Sequence, residues 1–412
     1  MEAINVASIG GGNGQKAVVA ALAMISKRRP MRVTAVTTSV DDDDPAGKYL
    51  TSTGRLAART KSAGPYGDIT RIFSGLDTGW LNENLMMRFG FSIAGGQTFG
   101  ELLGRLLFGE RFSRRMKNPS SRAGAIGLLR RIFGLDQATP ENVRIWRLLV
   151  DVLDQQLEGD SFTGHSLGNY LLFTLQKVAE RQKLPSQLAL KLALEALHII
   201  CRIPGNFRVM PATWEPGTLV AKTRAGAEIR GQCRIDFRDR DVLADPCDRI
   251  TDLRIDPPVS ASEEAVRAIL DADAVILSCG SIYGNLFGPF CADGLREALR
   301  EKMVAAPPTP LIYVMNLMTK IGETRFETPC TAADVVWCVR KATGQYPTHV
   351  IVDTTCFPDE VMKGLLPEKK IEPGGPSFEV PRPVAKLVNG QLVHDPGRLA
   401  LVFEEIFAGA HR

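Results

Sequence analysis

The chain has 412 residues, 44% hydrophobic and 23% charged, with a formal net charge of +4. That is enough apolar material for a sizeable core without disulfide or metal staples, and too little positive charge to indicate nucleic-acid binding by itself. The eight cysteines, none before Cys201 and none in a C-x-x-C pair, read as the reduced thiols of a cytoplasmic protein.

Met1 to Asn5 has no basic stretch ahead of an apolar one, so no signal peptide is expected. No apolar run approaches the ~20 residues that span a bilayer. Ile4 to Ile9 is a short apolar run with β-branched residues, and it predicts a strand. Gly10-Gly11-Gly12-Asn13-Gly14 breaks it. Gln15 to Lys27 is Ala-rich with apolar residues at helical spacing, and Pro30 follows. Arg32 to Ser39 reads as a second strand, ending in Asp41-Asp42-Asp43-Asp44. A β-α-β opening of this kind predicts a parallel sheet. From about Asp68 to Ile200 the periodicity is mostly helical. Residues 88–150 form a basic, arginine-rich stretch that reads as an insertion within a single α/β domain over residues 1–412. Between Arg202 and Leu253, short alternating runs broken by Pro211, Pro216 and Gly226 predict a small antiparallel β-region. The α/β pattern then returns. Helices are expected over Ser262–Leu270, Asp293–Val304 and Ala332–Ala342, and strands over Ala274–Cys279, Leu311–Asn316 and His349–Asp353. Cys356 to Pro383, rich in proline and glycine, reads as a surface excursion. The fold class expected is Rossmann-like: a doubly wound, mostly parallel sheet with helical and small β insertions.

Ligands of open α/β sheets bind where strands hand over to loops, and five segments qualify. Gly11, Gly12, Asn13 and Gly14 make a turn that lets backbone N–H groups and a helix N-terminus approach a phosphate; the alternative is a tight strand-to-helix connection. No Lys-Ser/Thr pair follows, so it is not a Walker loop. Asp41 and Asp42, beyond the second strand, could meet a ribose hydroxyl or hold Mg²⁺; the alternative is a solvated helix cap. Gly164-His165-Ser166-Leu167-Gly168 spells G-x-S-x-G, but the polar stretch before it does not supply the buried strand that a hydrolase elbow needs. His165, Ser166 and Asn169 are instead candidates for ligand contact from a helix N-terminus, or the segment is a structural turn. Gly280 and Ser281 repeat the first loop's logic, with Tyr283 placed either to stack on a base or to pack in the core. Asn316, Thr319 and Lys320 follow a further strand, and Lys320 reads as a phosphate contact or a solvated lysine.

Together and in this order, these segments resemble the CofD-like superfamily. It joins the gluconeogenesis factors and the 2-phospho-L-lactate transferases. The resemblance rests on Gly10 to Gly14, Asp41-Asp42, Gly67-Asp68-Ile69-Thr70-Arg71, Gly164 to Asn169, Gly280 to Tyr283, and Asn316 to Thr324. Val209 to Thr213 and His394-Asp395-Pro396 match as well. Two departures stand out. Asn13 replaces the family's usual threonine, and Asp43-Asp44-Pro45-Ala46-Gly47-Lys48 replaces a glycine- and serine-rich stretch. The resemblance adds Asp68 to the ligand-binding set, as a further Mg²⁺ partner. It implies a regulator that binds a nucleotide or a nucleotide sugar of the uridine diphosphate type. The alternative is a Mg²⁺-dependent transferase that moves a phospholactyl group from a guanosine diphosphate carrier to a deazaflavin alcohol. A homo-oligomer is expected, with neither nucleic acid nor membrane as partner.

Overall fold

The computed structural model describes residues 2–38, 66–76, 167–236, 250–319, 332–364, 371, 373 and 378–409. The chain forms two compact units, one of Met1–Leu85 with Ile203–Arg412, the other of Met86–Arg202. The basic segment 88–150, like Asp41, Asp42, His165, Ser166 and Lys320, lies outside the described residues.

The first unit opens with strand β1 (Ile4–Gly10), helix α1 (Gly12–Ser26), strand β2 (Met31–Thr37) and helix α2 (Tyr66–Phe73). The described part of the second unit is a pair of helices, α3 (Leu167–Arg181) and α4 (Ser186–Ile200), packed on each other. The apolar positions of α4 recur at three- and four-residue spacing and bury Leu190, Ala193, Leu194 and Leu197.

Back in the first unit come β3 (Phe207–Pro211), β4 (Thr218–Thr223), β5 (Glu228–Arg230), the short α5 (Gln232–Asp236) and β6 (Ile250–Asp256). Helix α6 (Glu263–Leu270) follows, capped by the Ser262 side chain, which accepts from the Ala265 N–H at 3.2 Å. Then come β7 (Ala274–Leu277), a π-helical turn (Ile282–Phe287), a 3-10 turn (Gly288–Cys291) and α7 (Leu295–Val304). The unit ends with β8 (Leu311–Val314), α8 (Ala332–Thr343), β9 (His349–Asp353), α9 (Asp359–Gly364), β10 (Glu379–Arg382), the hairpin β11 (Ala385–Val388) and β12 (Gln391–His394), and α10 (Pro396–Gly409).

Seven strands form one parallel sheet in the order β10-β9-β8-β7-β1-β2-β3. The strands β7 and β8 are buried along their whole length and β1 nearly so, as a sheet covered on both faces requires. On one face, Ala7, Ile9, Val275, Leu277, Tyr313 and Val352 share a core with the inner sides of α6, α7 and α8. Helix α1 packs against β1, β2, α2 and α10. The strand order reverses direction at β1: the chain proceeds to β2 on one side and returns to β7 on the other. The register sets Ile9 beside both Val36 and Leu277, and Leu277 beside Tyr313, so the carboxyl ends of these strands lie level. A doubly wound sheet opens its ligand crevice at such a reversal.

Two expectations change. The antiparallel region is real but comprises β4, β5 and β6; β3, expected within it, is parallel to β2 and extends the main sheet. Strand direction is set by the neighbour, which lies far away in sequence. The proline-rich excursion also contributes β10 to the sheet, where Pro381 is tolerated because the strand lies at an edge.

Candidate functional site

The loops leaving β1 and β7 press against each other. Gly12 adopts φ +63°, open to glycine at little cost, and a Cβ on Gly11 would meet the Asp68 carboxylate and the Asn285 amide at 2.5 Å. The buried Asp68 of α2 joins these segments. Its Oδ1 accepts from the Gly12 N–H at 2.8 Å and from the Arg71 guanidinium at 3.4 Å, and its Oδ2 accepts from Asn285 Nδ2 at 2.8 Å. Burial raises the Asp68 pKa against the opposing pull of Arg71, the Gly12 N–H and Asn285. Asp68 therefore supports the glycine turn from behind, with both oxygens in use.

The second loop is braced in the same manner. Asn316 accepts from the Gly280 N–H at 3.4 Å and donates to the Gly280 carbonyl at 2.8 Å. The Ser281 N–H goes to Asn285 Oδ1 at 3.2 Å; its hydroxyl donates to Asp236 and accepts from the Gly284 N–H. The donors that the sequence offered to a phosphate at Gly280 and Ser281 are thus engaged within the protein. Tyr283 is 4% exposed and meets Phe287 edge-on with ring centroids 5.8 Å apart, so it presents no open face for a base to stack on.

In front of these loops lies a cleft of about 800 Å³. One wall is the flank of α1, with Asn13, Gly14, Lys16, Ala17 and Ala20. The floor is the loop ends, with Gly280, Ser281, Asn316 and Thr319. The far wall is the β11–β12 hairpin, with Lys386, Val388, Leu392 and His394. Six residues expected from the sequence therefore share one cleft, while Asp68, Gly11, Gly12 and Tyr283 stand behind it. Asn169 is buried in the first turn of α3, in the second unit. No carboxylate lines the cleft among the described residues. No group of three or more His, Cys, Asp or Glu gathers anywhere among them as a metal site would.

Three residues, Asn285, Lys16 and Lys386, escape sequence reasoning; His394 lies in a segment that the family resemblance had named. Asn285 ties Asp68 to Ser281 and carries no recognisable motif. Lys16 sits two residues beyond the glycine loop. Lys386 and His394 arrive with the hairpin, whose Asn389-Gly390 turn has φ +50° and +76°, both positive as a type I′ turn requires. That turn signal is present in the sequence.

His394 pins the hairpin to the sheet. Its Nε2 lies 3.1 Å from the Met315 carbonyl and its Nδ1 3.4 Å from Cys279 Sγ. Burial pushes the His394 pKa down to about 4 and the Cys279 thiol up to about 12. Both groups are neutral at neutral pH, which fits Nε2–H donating to the carbonyl and Nδ1 accepting from the thiol. A histidine depressed in the folded state stabilises fully above its unfolded pKa of about 6.5, and that contribution is lost as pH falls towards 4. The stability gap between wild type and His394→Phe should therefore narrow by on the order of 3 kcal/mol between about pH 7 and pH 4. Urea titrations across that range check it; a gap independent of pH would contradict the buried neutral imidazole.

The model of the family described as 2-phospho-L-lactate transferase CofD matches residues 6–372, nearly the whole chain. The chain belongs to the CofD family. Among curated CofD relatives, a Deinococcus radiodurans protein provisionally named a gluconeogenesis factor is 29% identical over 260 residues, covering 62% of this chain and 50% of its own. The Listeria monocytogenes gluconeogenesis factor is 26% identical over 214 residues, covering 52% of this chain and 57% of its own. The chain thus spans about half the length of the curated relatives it matches. A Bacillus halodurans crystal structure of the UPF0052 family aligns with TM-score 0.62 at 17% identity, over 97% of this chain and 99% of that one. A second Bacillus halodurans structure gives 0.65 at 16%, over 98% and 100%. These two likenesses concern the fold. No described helix of this CofD-family chain is long and apolar enough to cross a membrane.

Proposed function

We propose that this protein is a regulator of the gluconeogenesis-factor kind that binds a nucleoside diphosphate or its sugar, of the uridine type, in the cleft at the β1–β7 reversal. One observation carries the reading. The cleft lies at the strand-order reversal of a doubly wound sheet, with two lysines and no described carboxylate in its lining. The first turn of α1 adds to the attraction for an anion. Asp68 takes the Gly12 N–H, and Gly11 supplies no side-chain cap. The N–H groups of Asn13 and Gly14 are among those a helix cannot satisfy itself. The names of the curated relatives point to the same kind of protein.

A thermal-shift series with uridine and guanosine diphosphates and their sugars, with and without Mg²⁺, tests this. A ligand at a hundred times its Kd should add about 2.7 kcal/mol to the folded state. The absence of any shift at millimolar ligand removes the reading. The family model's own description favours a second reading, a Mg²⁺-dependent transferase of a phospholactyl group. There Asp41 and Asp42 would hold the metal, and metal at the leaving phosphate would supply transition-state charge stabilisation. Incubation with a deazaflavin alcohol and a phospholactyl guanosine diphosphate donor, followed by mass spectrometry, separates the two. Metal-dependent product that Asp42→Asn abolishes selects the enzyme.

A further inference from the structure

We infer that Lys16 reads the ligand's negative charge: its ammonium group is the cleft's anion contact, with no counter-ion among the described residues. This rests on the cleft being the ligand site.

The placement follows from helix periodicity. Asn13, Lys16, Ala17 and Ala20 recur three and four residues apart, so they form one stripe of α1, and that stripe is the cleft wall. Lys16 is the stripe's single charged member. Of the two lysines in the cleft, Lys386 already pairs with Asp395 at 3.5 Å. Lys16 has no ion-pair partner among the described residues. The Asp68 carboxylate of α2 is taken up by the Gly12 N–H, Asn285 and Arg71.

The surroundings oppose the charge. Lys16 is half-buried, and its pKa is lowered first by that burial and then by the like charge of Arg71. A lysine serving stability alone would have its ammonium in water or against a carboxylate. Lys16 has the reverse: partial burial, a cationic neighbour, and an opening into a cleft lined by no described acid. A phosphate entering that cleft supplies the missing counter-charge. The contact would be a charge-assisted hydrogen bond, stronger than a neutral one. The adjoining Ala17 and Ala20 give the ligand no charge to meet, so discrimination between a phosphorylated ligand and its uncharged counterpart falls to Lys16.

The consequence is a trade between stability and binding that a structural lysine would not show. Two probes, uridine diphosphate and inorganic pyrophosphate, are titrated calorimetrically into wild type, Lys16→Met, Lys16→Arg and, as a control at the far end of α1, the exposed Lys27→Met. Lys16→Met should melt at the same temperature as wild type or higher without ligand, and bind both probes at least about tenfold more weakly. Lys16→Arg should stay within about threefold, since it keeps the charge. Lys27→Met should bind as wild type does. Wild-type affinity should also fall as pH rises through the depressed lysine pKa, earlier than in Lys16→Arg. Lys16→Met that binds both probes normally overturns this inference and leaves the cleft reading intact. Wild type that binds neither probe overturns the cleft reading, and this inference with it. A lower melting temperature in Lys16→Met with unchanged affinity marks Lys16 as structural.

Discussion

Gly14→Ala should destabilise the protein by about 3 kcal/mol or more and abolish ligand-induced stabilisation with it. Gly14 stands in the first turn of α1 against the backbone of Cys279. A Cβ built there would sit on the Cys279 carbonyl, well under 3.0 Å from its carbon and its oxygen. The obstacle is main chain. No side-chain rotation relieves it, so α1 or the β7 loop must move. Both are fixed: α1 by its packing on α2 and α10, the loop by the paired Asn316 bonds to Gly280 and by His394 at Cys279. The cost therefore belongs at the upper end of overpacking or beyond it. It falls on the surfaces that form the cleft. A melting temperature within about 1 °C of wild type would show that the two loops are not in contact as described.

Asp68→Ala should cost about 4 kcal/mol, and Asp68→Asn about half of that. Alanine leaves the Gly12 N–H and the Asn285 amide buried without an acceptor, and each such donor costs about 1–3 kcal/mol. It also strips Arg71 of its carboxylate. Asparagine can still accept from Gly12, but its amide then faces the amide of Asn285. That side chain cannot turn to help, because its own oxygen accepts from the Ser281 N–H. One term runs the other way. Burial raises the Asp68 pKa, so above the unfolded carboxylate pKa the folded state carries a desolvation penalty for holding the charge, set against the hydrogen bonds that the charge makes. Both substitutions remove that penalty at neutral pH, so the loss measured there is net of it. The gap to wild type should widen on acidification. Urea unfolding at two pH values tests this. An alanine variant as stable as wild type would mean that Asp68 does not support the glycine turn. In either variant the turn should loosen, and nucleotide-induced stabilisation should shrink.

What the sequence determined by itself is local. The β-branched run, glycine turn and Ala-rich helix from Ile4 to Lys27 specify a β-α-β start because strand and helix periods are written in neighbouring residues. The same reasoning gave β7, β8 and β9 with their helices, and so the parallel sheet. It placed Gly280, Ser281, Asn316 and Thr319 on loops at strand ends, and it put Asn13 and Gly14 in the turn before α1, which in the structure is the helix's first turn; the level register of β1, β7 and β8 gathers all six into one cleft. The hairpin turn at Asn389-Gly390 was not among the expectations, although few other dipeptides tolerate two positive φ angles. Tertiary structure alone decided the rest. Whether β3 runs parallel depends on β2 being its neighbour. Whether Tyr283 stacks on a ligand or packs on Phe287 depends on which face of its turn meets the core. Asp68 bonds Asn285 across 217 residues of sequence, and that bond fixes which polar groups are consumed inside the protein and which face the cleft. A residue's type announces the hydrogen bonds it can make. Only the packed chain decides whether the partner is already inside the protein or must arrive as a ligand, and that is why Lys16, unremarkable in the sequence, stands out as a cleft lysine with no ion-pair partner among the described residues.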